Sequence, residues 1–164
     1  MAVLPDLLSP GLKVVFCGTA VENRSTAVRA YYAGRGNQFW AVLHRIGLTP
    51  RVLEPSEYSK LLEYGIGLTD LAKNDFGNDE DLSKDSFDVQ GLRRKLQVFA
   101  PRAVAFNGKR GAEIFLGRSV EYGRQSESVG TTAIFVLPST SGAARGYWDE
   151  RYWLELASFI RSST

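Results

Sequence analysis

Apolar positions along the chain fall into two patterns. In the first they are continuous: Leu12, Val14, Val15, Phe16 and Cys17 surround a single Lys and stop at Gly18, as in a strand covered on both faces. "TTAIFVLPSTSGAARG" is similar, a strongly β-branched strand followed by small residues. "PRAVAFNGKRGAEIFLG" reads as strand, turn and helix. In the second pattern they recur at helical spacing. Phe39, Trp40, Leu43 and Ile46 line one face of "GNQFWAVLHRIGLTP", with Asn37 as cap and Gly47 as stop. "EPSEYSKLLEYGIG" predicts a helix entered at Pro55, with Leu61 and Leu62 near its end. Val89, Leu92, Leu96 and Phe99 share a face of "DVQGLRRKLQVFAP" despite Gly91, and "YWDERYWLELASFI" is a closing amphipathic helix. The acidic stretch "NDFGNDEDLSKDSF" between them reads as a surface loop.

Strands alternating with helices predict an α/β fold, a three-layer sandwich whose central, mostly parallel sheet is flanked by helices. There is no internal repeat and no linker, so residues 1–164 are expected to form one domain. Ligands of such sheets bind beyond the carboxyl ends of the strands. Three loops should meet there: "GTAVENRS", "NGKRG" and "PSTSGAARG".

Composition narrows the function classes. The net charge of +2 argues against a protein that coats DNA non-specifically, although a modest basic face remains open. The one Cys lies in the first apolar run, so an intramolecular disulfide is impossible and a buried thiol is expected. One Cys and one His do not make a zinc site of the usual kind, and no metal or cofactor is expected. The N-terminus lacks the basic and apolar regions of a signal peptide, and no apolar run approaches the ~20 residues that span a bilayer. A soluble, cytoplasmic protein is the expectation.

The loops offer ambiguous chemistry. The Ser, Thr and Gly residues of "PSTSGAARG" let backbone approach a phosphate, yet the loop reads equally as an ordinary surface turn. Asn107-Gly108 is first a turn signal, with Lys109 and Arg110 near a helix start that favours anions. "GRG" at 34–36 has neither phosphate-loop spacing and is set aside. His44 lies within a helix without a partnering nucleophile, which favours a structural or surface role. Tyr31-Tyr32 could offer a base-stacking platform at a typical ~1–3 kcal/mol per contact, or simply core and surface. In "GIGLTDL", Asp70 sits among Leu68, Thr69 and Leu71. Partial desolvation there would suit it to general-base work; the competing reading is a solvated loop residue or a helix cap.

Taken in order, "VVFCG", "GLTDL", "LSKDSF", "PRAVAFNGK", "IFLG" and "VLPSTSG" resemble the uracil-DNA glycosylase superfamily, in its mismatch-specific uracil and thymine-DNA glycosylase branch. The resemblance runs from Leu12 to Ile160. In that branch the first strand is followed by Ile-Asn-Pro-Gly and later by Asn-Arg-Phe-Trp. Here the same frame carries Thr19-Ala20-Val21-Glu22 and Asn37-Gln38-Phe39-Trp40. The Asn that handles water in the branch therefore falls on Ala20. The resemblance implies excision of uracil, and of other deaminated bases, from DNA by a monomer. A carboxylate must then replace the amide, with Asp70 preferred and Glu22 second. It also implies base-pocket roles for Gly18, Thr19, Ala20, Tyr32, Asn37, Asn107 and Ser139, with Tyr32 stacking on the flipped base. DNA contacts are implied for Lys109, Arg110, Ser141, Gly142, Ala143 and Arg145, Ala143 standing where the branch has a wedge Leu. Two alternatives stay open: an inactive reader of uracil or abasic sites, favoured by Ala20, and a small-molecule α/β enzyme.

Overall fold

The computed structural model describes residues 5–21, 31–34, 36–76 and 87–162. Its centre is a five-stranded sheet of order β2-β1-β3-β5-β4. The strands are β1 (Val14–Val21), β2 (Ile66–Phe76), β3 (Ala103–Asn107), β4 (Gly123–Val129) and β5 (Thr132–Leu137). β1 pairs parallel with both β2 and β3, and β3 parallel with β5; β4 alone runs antiparallel, against β5. This is the expected mostly parallel sheet, with one antiparallel edge.

The continuous apolar runs follow from this placement. Val14 and Phe16 of β1 enter one core with Leu68, Ala105 and Phe135, whereas Cys17 enters the opposite core with Val104, Phe106 and Val136. Strands buried on both faces need apolar residues at every position. α1 (Phe39–Arg45), the 3₁₀ segment Pro55–Tyr64 and α4 (Glu150–Ser162) cover the first face; α2 (Val89–Phe99) and α3 (Lys109–Leu116) cover the second. The Cys17 thiol is buried, outside any disulfide, and donates to the Gly18 carbonyl at 3.4 Å.

The helices show why particular polar residues were needed. Asn37 Oδ1 accepts from the Phe39 N–H, holding the entry to α1. Asp88 caps α2 by accepting from the Gly91 N–H at 2.8 Å. A Cβ on Gly91 would lie 2.2 Å from Asp88 Oδ2, so the glycine that weakens the helix is what lets its cap close. Among the described residues no helix is long and apolar enough to cross a membrane.

The helix expected to begin at Pro55 is present as a 3₁₀ helix, with a Glu54–Glu57 capping box and Gly65 in the left-handed conformation. Two other elements differ from the sequence reading. The loop expected from Asn74 begins as strand, because β2 continues to Phe76; residues 77–86 lie outside the described set. β4 was missed. Its sequence is polar, with only Gly123 and Val129 buried, as suits an edge strand half open to water.

Trp153 ties α4 to the sheet. Its ring is wholly buried, stacks on Phe16 with centroids 5.5 Å apart, and donates its N–H to the Pro138 carbonyl at 3.0 Å. Trp153→Ala should lower stability by about 3–5 kcal/mol, measured by urea unfolding.

Candidate active site at the carboxyl ends of the strands

The chain passes from β1 outward to β2, then crosses back to β3 on the other side of β1. The switch point between β1 and β3 is where a parallel sheet opens a crevice at its carboxyl end. The β1–β3 ladder runs from Val14↔Ala103 to Cys17↔Phe106, and beyond it β3 continues with Asn107 against Leu137. Gly18, Thr19 and the backbone of Ala20 thus lie where the two strands part.

On the other side of β1, Gly18 is in register with Asp70. Asp70 is a strand residue of β2 with 4% of its surface exposed, not the solvated loop residue or helix cap of the competing reading. It lies on the same face as Leu68, because side chains alternate along the strand. A Cβ on Gly18 would lie 2.8 Å from Asp70 Oδ1 and 3.5 Å from Tyr32 Oη. The carboxylate therefore occupies space that any side chain at position 18 would fill. With β2 on the far side of β1, the glycine lets Asp70 lean across β1 toward the crevice.

Aromatic rings wall this spot. Tyr32 adopts a left-handed backbone, φ +54°, a conformation costing a non-glycine residue roughly 1 kcal/mol. Its ring stacks on Phe39 at 4.0 Å, and Phe39 meets Phe16 edge-on at 5.3 Å. One face of Tyr32 is thus already covered. Tyr31, by contrast, is core: it is 2% exposed and donates its hydroxyl to the Pro5 carbonyl at 3.0 Å. Burial, and then the negative charges of Asp70 and Asp6, push its phenol far above the ordinary tyrosine range and keep it neutral. The N-terminal segment braces β2 here. Leu7 and Leu68 exchange backbone hydrogen bonds, and Asp6 accepts from Thr69 while pairing with Lys95.

The other two loops converge through Thr140, which sequence reasoning passed over. Its hydroxyl accepts from Asn107 Nδ2 at 2.9 Å, its N–H donates to Asn107 Oδ1 at 3.0 Å, and its carbonyl accepts from the Gln38 N–H at 2.9 Å. Asn107, at the end of β3, thereby commits both ends of its amide to the loop after β5, and Asn37 sits beside the third strand of the knot. Thr140 gave no motif signal; only its position between Ser139 and Ser141 pointed to it. Ser139 Oγ accepts from the Ser141 N–H, closing the turn.

Of the remaining expected positions, Thr19 turns to the opposite face, its Oγ1 3.5 Å from where a Cβ on Gly111 of α3 would stand. Only its backbone is offered to the crevice. Lys109 opens α3 with Nζ 4.6 Å from the centroid of Tyr122, and Arg110 lies over Phe87. Gly142 begins the 3₁₀ segment Gly142–Tyr147. Glu22 and the side chains of Ala20, Ala143 and Arg145 lie outside the described residues. A cavity of about 80 Å³ lined by Lys13, Tyr64, Ile160 and Arg161 lies at the opposite end of the sheet, away from this site. No group of three or more His, Cys, Asp or Glu among the described residues could hold a metal ion.

The family model of the uracil DNA glycosylase superfamily matches residues 5–158. A solution NMR structure from Methanosarcina acetivorans, of a protein provisionally named a uracil DNA glycosylase, is similar throughout. It shows 25% identity, a TM-score of 0.63, and coverage of 96% of this chain and 94% of that one.

Thr140→Val removes the acceptor that Asn107 Nδ2 uses. The variant should lose about 1–3 kcal/mol by urea unfolding, with backbone amides of 138–142 exchanging faster in hydrogen–deuterium exchange.

Proposed function

Since the chain belongs to the uracil DNA glycosylase superfamily, we propose that it excises uracil, and other deaminated bases, from DNA by hydrolysis, with Asp70 as the group that activates water. The supporting observation is the Asp70 carboxylate leaning over Gly18 at the mouth of the β1–β3 crevice.

The chemistry needs two things at that point. As the bond between C1′ and N1 lengthens, its electron pair leaves with uracil, and the sugar becomes cationic. A carboxylate nearby stabilises that cation, and it orients a water whose oxygen then bonds to C1′. The water proton passes to Asp70, and the uracil anion is protonated on release. An amide at position 20 could orient water but could not take its proton. Ala20 does neither, and Asp70 supplies both functions from the neighbouring strand. Backbone N–H groups of residues 18–20 face the uracil carbonyls. Tyr32 stacks on the base, and Asn37, Asn107 and Ser139 shape the wall beside the Thr140 knot.

Phosphates are held by Lys109 and Arg110 at the start of α3 and by the segment from Ser141 through Gly142 and Ala143 to Arg145. Each phosphate contact adds about one unit to the salt dependence of binding. This reading takes residues 1–164 as a single domain that acts as a monomer. It extends the family assignment to the mismatch-specific branch on the ordered motifs quoted above. Ala20 favours a second reading, in which the fold binds uracil or abasic DNA without chemistry.

Single-turnover base release from a uracil-containing oligonucleotide separates the two. Asp70→Ala should lose about 10²–10⁴-fold in rate with DNA affinity retained, while Glu22→Ala stays near wild type. Loss in Glu22→Ala alone would move the role to Glu22; no release by the wild type on any strand would favour the reader. Gly18→Ala keeps the Asp70 carboxylate but forces it aside, so it should release base more slowly at unchanged DNA affinity.

A further inference from the structure

A second opening lies at the other end of the sheet, where β1 and β2 begin. It is a cavity of about 80 Å³ walled by Val14, Ile66 and Ile160, with Leu48 and Tyr64 beside them. Val14, Ile66 and Ile160 belong to the core, so the inner wall is aliphatic. Lys13 and Arg161 complete the lining, and both are exposed, which sets the two cations at the mouth. Each is held against a glycine. The Lys13 stem packs on Gly65, where a Cβ would lie 3.0 Å from Cγ and 3.1 Å from Cδ. Arg161 donates from Nη1 to the Ile46 carbonyl at 3.1 Å, and a Cβ on Gly47 would lie 3.2 Å from that nitrogen. Among the described residues neither cation is paired with a carboxylate, whereas Arg45, Arg51, Lys60, Lys95, Arg118 and Arg151 all are.

An aliphatic pocket with two cations at its rim fits one ligand chemistry, a carboxylate carrying a short aliphatic tail. Water inside would meet few hydrogen-bond partners on Val14, Ile66 and Ile160, so an apolar tail displaces it favourably. An apolar cavity of about 150 Å³ takes a six-carbon ring, so this one has room for roughly three or four carbons. Inorganic phosphate has no such part, and a nucleobase is too large. The carboxylate at the mouth then accepts charge-assisted hydrogen bonds from the Arg161 guanidinium and the Lys13 ammonium. We propose that this cavity binds a small branched aliphatic carboxylate, tail inward and charge at the rim. The same group ends a polypeptide whose last residue is valine, so a free acid and a chain terminus share the chemistry. The register places Val14↔Ile66 at the start of the β1–β2 ladder and Gly18↔Asp70 further along it, so this site is separate from the crevice and independent of the glycosylase reading.

The test follows backbone amide resonances of the full chain by NMR while 3-methylbutanoate is added. The amides of Gly47, Leu48, Tyr64 and Arg161 should shift and saturate, and those of Gly18 and Thr140 should stay in place. 3-Methylbutanamide lacks the charge and acetate lacks the tail, so each should bind at least about tenfold more weakly, with inorganic phosphate no better than acetate. Lys13→Met keeps a stem on Gly65 and removes the ammonium. It should weaken 3-methylbutanoate about 3- to 30-fold at an unchanged urea midpoint. Acetyl-glycyl-valine is the chain-terminus probe, with its carboxamide as control. Tighter binding of this peptide than of 3-methylbutanoate supports a polypeptide C-terminus as the source, and the reverse supports a free acid. The proposal is overturned if the four amides saturate with neither carboxylate, or if the amide, acetate or phosphate binds as tightly as 3-methylbutanoate. Binding by Lys13→Met equal to that of the wild type overturns it as well.

Discussion

Everything at the site depends on the absence of a side chain at Gly18. Asp70 is buried in a sheet strand, and an ionised carboxylate in such a place is costly unless its surroundings are arranged for it. The parallel register sets Asp70 directly beside Gly18. The empty volume above that glycine is where the carboxylate goes. Without it the acid would stay confined to the outer side of β1, away from the crevice. A single hydrogen atom in place of a methyl group thus decides which side of the strand the charge can serve.

The scaffold keeps that arrangement stiff from two directions. The segment around Asp6 and Leu7 pairs with the outer edge of β2 and ties it to Lys95 of α2. On the inner side, Thr140 joins the ends of β3 and β5 to the entry of α1. α1 in turn carries Phe39, which both packs on Phe16 and supports Tyr32. Asp70 and Tyr32, the groups to which the proposed function gives catalysis and stacking, are thereby held by the core itself, which suits chemistry that tolerates little misplacement.

The two cores are unequal in what they do for function. The face carrying α1 and α4 is aromatic, and its rings reach the wall beside Asp70. The opposite face is mostly aliphatic and supports α3, which opens with Lys109 and Arg110. In the proposed function one face of the sheet would serve the base, and the start of a helix on the other the backbone phosphates.

Much of this was legible in the sequence. The unbroken apolar runs identified β1, β3 and β5, because strands covered on both faces admit few polar residues, and helical spacing located α1, α2 and α4. Asp70 was singled out from the sequence by its largely apolar neighbours Leu68, Thr69 and Leu71, and its burial agrees with that reading; its role in water activation is the proposal above. Three features required the tertiary structure. β4 is polar because it is an edge, so its sequence lacks the apolar signal of its neighbours. Asp70 looked like a loop residue because a strand interior seldom holds a carboxylate, and only the missing side chain at Gly18 makes room for one. Thr140 matters through partners far away in sequence, Asn107 and Gln38, whose approach no local pattern records. Local sequence determined the elements and their buried faces through backbone periodicity and burial. Which groups share one crevice was decided by strand order and register, which bring together residues that the chain keeps apart.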